Sequence, residues 1–107
     1  MAGRNRSEIL KVISAFLAEL KKKNIRISAA YLFGSYANGK PDEWSDVDLA
    51  LVTPDLEGNS FDFLFELTKL AKKIDLDLEP HPISEADFPI HPLHHEIIAA
   101  GIRVEIQ

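Results

Sequence analysis

The chain of 107 residues contains no cysteine. A disulfide scaffold and a thiolate metal centre are thereby excluded, and the composition fits a reducing, cytoplasmic setting. Long apolar runs are lacking as well. The densest, at residues 29–33 and 49–52, have the length of strands, far short of the ~20 residues of a membrane span. No segment repeats, which excludes a solenoid or a propeller. Positive charge is scarce: 12 Lys and Arg stand against 17 Asp and Glu, a net charge of −5. Non-specific binding of nucleic acid rests on neutralising phosphates, so no direct nucleic-acid contact is expected. What remains is a 46% hydrophobic, 27% charged chain of single-domain size, with the composition of a folded protein and not of a disordered one.

The basic start, residues 1–6, precedes an apolar-rich stretch, but Glu8, Lys11 and Glu19 interrupt it, so it is not the core of a signal peptide. Ile9, Leu10, Val12, Ile13, Phe16, Leu17 and Leu20 recur at helical spacing. Asn5 or Ser7 can cap this helix, Lys21–Lys23 suit its carbonyl end, and Asn24 can stop it. A strand is expected over 25–33, a second over 47–53, a helix over 60–73, and a third strand over 75–83. A loop over 84–92 with room for a short helical turn, a helix over 93–100 and a last strand over 102–106 complete the chain. The order αβ(α)βαβαβ predicts an α/β (α+β) domain, a small mixed sheet flanked by helices, with 1–107 as one unit.

The segment from Tyr31 to Leu51 carries the chemistry. A strand runs into Gly34-Ser35, where a helical turn can begin. Glycine lets the backbone come close to a ligand, and the freed N–H groups with the Ser35 hydroxyl suit a phosphate. After ten intervening residues come Asp46 and Asp48. At strand spacing both carboxylates project from one face, about 7 Å apart. Their repulsion is relieved by a divalent cation, and oxygen ligands beside a phosphate suit Mg²⁺ or Mn²⁺. An Asp-x-Asp alone is an ordinary exposed strand face. The Gly-Ser turn, the spacing and a third acidic stripe at Asp75, Asp77 and Glu79 together say more.

Gly34-Ser35, ten residues, then Asp46-Val47-Asp48, flanked by Tyr31-Leu32-Phe33 and Leu49-Ala50-Leu51-Val52, resembles the signature of the nucleotidyltransferase superfamily related to DNA polymerase beta. The size is similar to that of the minimal nucleotidyltransferases, which act as antitoxins paired with helical HEPN-domain toxins. The resemblance spans about residues 25–107. It implies that Gly34 and Ser35 hold the β- and γ-phosphates of ATP or another nucleoside triphosphate. It implies that Asp46 and Asp48 hold two Mg²⁺ ions, with Mn²⁺ as an alternative, and that a third carboxylate completes the set. Asp77 is the expected third carboxylate, taken as mid-strand, with Asp75 and Glu79 left open because all three share one parity. The implied reaction moves AMP from ATP to a hydroxyl, a tyrosine of the HEPN partner. The acceptor would come from that partner or from a second copy of the chain.

Other residues carry weaker expectations. Lys40 and Arg26 read as solvated charges, and Tyr36 and Trp44 could stack on a base. His91 and His95 stand four apart, but Pro92 falls between them, so the set His81, His91, His94 and His95 reads as surface or interface. Against the enzyme stands a binding module, in which the acidic face merely covers a basic partner. Substitution of Asp46 discriminates the two. Glycosyl transfer from a sugar nucleotide ranks last, since it needs a larger nucleotide domain.

Overall fold

The computed structural model describes residues 4–42, 44–54 and 60–106. Helix α1 (Arg6–Lys22) starts at Asn5, whose side chain accepts a hydrogen bond from the Glu8 N–H while its amide donates to Glu8 Oε1 at 2.7 Å. This reciprocal pair satisfies a free donor at the helix start. Lys23 caps the helix and the chain turns away at Asn24, the only non-glycine residue of the described chain with positive φ (60°), a conformation asparagine tolerates. Strand β1 (Ala29–Phe33) leads into the single turn α2 (Ser35–Asn38), followed by β2 (Val47–Thr53), α3 (Ser60–Ile74) and β3 (Leu78–Ser84). A 3₁₀ turn (Phe88–Ile90), α4 (His94–Ala100) and β4 (Ile102–Val104) close the chain.

The four strands form one mixed sheet in the order β3-β2-β1-β4. β1 is antiparallel to both β2 and β4, and β2 is parallel to β3. The β2–α3–β3 unit supplies the crossover that a parallel pair requires. Period-two alternation then sorts the two faces. Ala30, Leu32, Val47, Leu49, Leu51, Leu78 and Val104 pack in one core with Ile9, Ile13, Phe16 and Leu20 of α1 and Leu67 and Ala71 of α3. Phe33, Ala50 and Ile83 point the other way, onto Ile97 of the short α4, with Tyr31, Phe88 and Leu93 beside them. The second face is thinly covered, and this leaves its β3 end open.

Two expected strands begin later than the sequence pattern suggests. β1 starts at Ala29 and not at residue 25. β3 starts at Leu78 because Asp75, Leu76 and Asp77 form a turn: Asp75 Oδ1 accepts the Asp77 N–H at 2.9 Å and Asp75 C=O accepts the Leu78 N–H at 3.2 Å. An aspartate that closes a turn on its own backbone competes with strand pairing. Leu76, which strand alternation would set on the face of Leu78, is 79% exposed, whereas Leu78 is buried. The last strand is shorter than 102–106, ending at Val104. Most of the connection expected at 54–60 lies outside the described residues.

β3 is a free edge of the sheet. Val47 donates to Asp77 C=O at 2.7 Å and Glu85 donates to Thr53 C=O at 2.8 Å. The odd-numbered residues of β3 therefore turn their backbone groups to β2, and the even-numbered ones turn outward. Two of those outward positions are Pro80 and Pro82, which have no N–H to offer.

Candidate active site

The site is built where β1 ends and β2 begins. Phe33 pairs with Asp48, so the residue after β1 lies over that carboxylate. That residue is Gly34, with φ 76° and ψ −151°, a region open essentially to glycine alone. Space demands glycine too. A β-carbon there would lie 2.5 Å from Asp48 Oδ2. Past the glycine the backbone folds into α2, where Ala37 and Asn38 donate to Gly34 C=O at 3.1 and 3.0 Å. Gly39 closes the turn in the left-handed conformation, φ 76°.

The parallel register of β2 and β3 sets Glu79 beside Asp48. His81 follows on the same face, and its Nε2 lies 3.1 Å from Asp48 Oδ1. Its ring stands edge-on to Phe33 at 5.1 Å between centroids. Asp48, Glu79 and His81 each present a ligand atom, all within 4.8 Å of one another. Asp46 stands one residue before β2 and is exposed. The two acids of the Asp-x-Asp are thus at the strand's mouth, one in the cluster and one outside it.

Asp77 is placed differently from its expected position. It lies in the turn before β3, with its carboxylate oxygen 3.4 Å from an Arg4 nitrogen. Arg4 also binds Asp75 through both guanidinium nitrogens, the second at 3.0 Å. The Arg4 hydrogen bonds hold the Asp75 carboxyl below the usual carboxylate range. The Asp77 backbone N–H and the charges of Arg4 and Lys72 act in the same sense, and burial opposes them. Arg4 is correspondingly held more firmly protonated, chiefly by Asp75. The carboxylate that β3 brings to Asp48 is Glu79, not Asp77. The signal was present in the sequence as Glu79 and His81 alternating with Leu78 and Pro80. His81 is near His91, His94 and His95 in the sequence, but on the sheet its neighbours are Glu79 and Asp48.

Tyr36 is not free to stack on a base. It is 6% exposed within the α1–sheet core, and its hydroxyl accepts the Arg4 N–H at 3.3 Å. Arg6 donates to Tyr36 C=O at 3.3 Å. Trp44 is 80% exposed and Lys40 is exposed. Neither His91 nor His95 joins the acidic group. His91 Nδ1 accepts the Leu93 N–H at 3.1 Å and so orders the approach to α4.

Beside the cluster is a hollow of about 470 Å³, lined by Leu64, Thr68, Lys72, Glu79, His81 and His91 among others. A larger one, about 680 Å³, lies at the opposite end of the sheet between Lys21, Ile25, Pro54 and Glu85. Volume alone favours the second, but only the first of the two is lined by members of the cluster, Glu79 and His81.

Among solved structures, one described as a nucleotidyltransferase from Sulfolobus solfataricus is 18% identical to the chain, with a TM-score of 0.64 over 90% of this chain and 78% of the other. A toxin-antitoxin structure with AMP-PNP is 24% identical, TM-score 0.62, over 88% and 73%. A mutant of the toxin-antitoxin pair MntA-HpeT is 26% identical, TM-score 0.60, over 97% and 74%. No curated protein matches the chain. The family described as "Polymerase beta, Nucleotidyltransferase" matches residues 16–104, a span that holds the Gly34-Ser35 turn, Asp46, Asp48 and all of β3. The chain belongs to this nucleotidyltransferase family.

Proposed function

We propose that the chain transfers AMP from ATP to a hydroxyl of a protein partner, a tyrosine of a HEPN-type toxin, and so acts as the antitoxin of the pair. The observation that carries this reading is the seating of Asp48, with Glu79 at its side, directly beneath the Gly34 turn. The AMP-PNP and toxin-antitoxin structures that the chain resembles support the choice of nucleotide and partner.

In this reading Gly34 and Ser35 hold the β- and γ-phosphates against exposed backbone N–H groups, which carry partial positive charge at a helical turn. Asp46, Asp48 and Glu79 hold the divalent cations. The donor set fits: Asp48 and Glu79 bring carboxylate oxygens from adjacent strands within 4.8 Å of each other, Gly34 leaves Asp48 its room, and Asp46 stands two residues ahead at the strand's mouth. Bound Mg²⁺ or Mn²⁺ supplies charge stabilisation at the entering and leaving oxygens of an in-line displacement. The acceptor hydroxyl attacks the α-phosphorus, the bond to the β-phosphate oxygen breaks, and pyrophosphate leaves. Glu79, which lines the hollow, takes the hydroxyl proton in this reading. The acceptor side chain would enter through this hollow, whose volume is in the range of small-ligand pockets. Trp44, Phe65 and Leu76, at 80%, 64% and 79% exposure, offer the kind of apolar surface a protein partner covers.

The deciding experiment supplies α-labelled ATP, a divalent cation and a candidate HEPN-type toxin as acceptor, with γ-labelled ATP in parallel. Label from the α position alone on the toxin, lost in an Asp46→Ala/Asp48→Ala chain, is the expected result. A stable complex without transfer would overturn the enzyme reading in favour of a binding module.

A further inference from the structure

His81 has a place in this site that the three-carboxylate pattern does not account for. It is on the same face of β3 as Glu79, one step along the strand, and its Nε2 lies 3.1 Å from Asp48 Oδ1. With no cation present, the ring donates Nε2–H to the carboxylate. The same separation suits shared coordination. Two adjacent ligand atoms on an octahedral ion, each ~2.1 Å away, sit ~3.0 Å apart. Glu79 is the third donor within 4.8 Å. Phe33, edge-on at 5.1 Å, limits how the ring can turn away.

We infer that His81 is a nitrogen ligand of the cation held by Asp48 and Glu79, and that it biases the site toward Mn²⁺ and related transition ions over Mg²⁺. The inference rests on the nucleotidyl-transfer reading only for the cation's presence. Mg²⁺ prefers oxygen donors and gives up its water reluctantly, whereas imidazole suits Zn²⁺, Fe²⁺ and Ni²⁺ best, and Mn²⁺, the weakest binder of that series, still accepts a nitrogen donor more readily than Mg²⁺ does. With its ring proton on Nδ1, neutral His81 offers the Nε2 lone pair. A site with one nitrogen and two carboxylates then discriminates between ions that an all-oxygen site treats more alike.

The test is metal binding by the full chain without nucleotide. Mn²⁺ affinity is read from loss of the free-ion electron paramagnetic resonance signal, and Mg²⁺ affinity by competition. The ratio of the two affinities should fall about tenfold, ~1.4 kcal/mol, in both His81→Asp and His81→Gln. A merely structural histidine would weaken both ions equally and leave the ratio unchanged, and that result overturns the inference. Should either variant melt early, the wild-type chain still decides. Zinc, a diamagnetic stand-in, should move the His81 Nε2 resonance to the position of a metal-bound nitrogen in an imidazole proton–nitrogen spectrum. An unmoved Nε2 with zinc bound overturns it too. The transfer reading fails separately, by absence of α-label on the toxin with either ion. Transfer that proceeds alongside an unchanged ratio removes His81 alone.

Discussion

Asp48 Oδ2 occupies the space that a β-carbon on Gly34 would need, 2.5 Å away. The turn and the carboxylate are therefore one unit, and the glycine answers two demands at once. Its φ and ψ exclude other residues, and its missing side chain leaves room for the acid.

Gly34→Ala should lower stability by about 1–3 kcal/mol, the cost of a strained backbone conformation, and displace Asp48 as well. Urea denaturation reads the first effect. Loss of α-label transfer at temperatures where the variant remains folded reads the second.

Glu79 and Asp77 should separate cleanly. Glu79→Gln is expected to reduce transfer by roughly 10²–10³-fold, the scale of removing one element of transition-state stabilisation, with little change in melting temperature. Asp77→Asn should leave transfer within about threefold, because a partly exposed ion pair contributes ~1 kcal/mol or less. Equal losses from the two would contradict the placement of Glu79 beside Asp48.

Acid should expose the Arg4–Asp75 pair. The folded-state pKa of Asp75 is lowered, so its contribution is fully present above the unfolded value near ~3.9. It is lost as pH falls through that value toward the lower folded one. Wild-type stability should exceed that of Asp75→Asn by about 1.5–3 kcal/mol at pH ~6, as for a hydrogen bond to a charged group. The gap should close as the pH drops below ~4, which denaturation curves across that range will measure.

Tyr36→Phe removes the acceptor of the Arg4 N–H but keeps the buried ring. A loss of about 1 kcal/mol is expected, with transfer and nucleotide affinity within about twofold. A large fall in nucleotide affinity would instead put the ring in the nucleotide site.

Periodicity located α1, β2 and α3 well, because Ile9, Ile13, Phe16 and Leu20 of α1, Val47, Leu49 and Leu51 of β2, and Leu67 and Ala71 of α3 recur at the spacing of their element and meet in one core. Asn5, Asn24 and Gly34 mark their junctions by local chemistry that needs no tertiary information. The start of β3 was hidden for the opposite reason. Asp75, Leu76 and Asp77 keep strand alternation in the sequence, but the Asp75 side chain closes a turn, and Arg4, 71 residues earlier in the chain, binds it there. His81 was obscured by register: only the pairing of Asp48 with Glu79 shows which residues share a face and a depth. Tyr36 reads as a loop aromatic until α1 is seen to pack over it.

The prolines at the outward positions of β3 govern how a substrate can present itself. Enzymes that modify proteins can draw the acceptor out as an extended peptide and pair it along a sheet edge. Alongside this hollow that mode is closed, since residues 80 and 82 offer no hydrogen to a visiting strand. Recognition then falls to the folded shape of the acceptor protein. A short peptide bearing the acceptor residue would be a poor substitute for the whole partner.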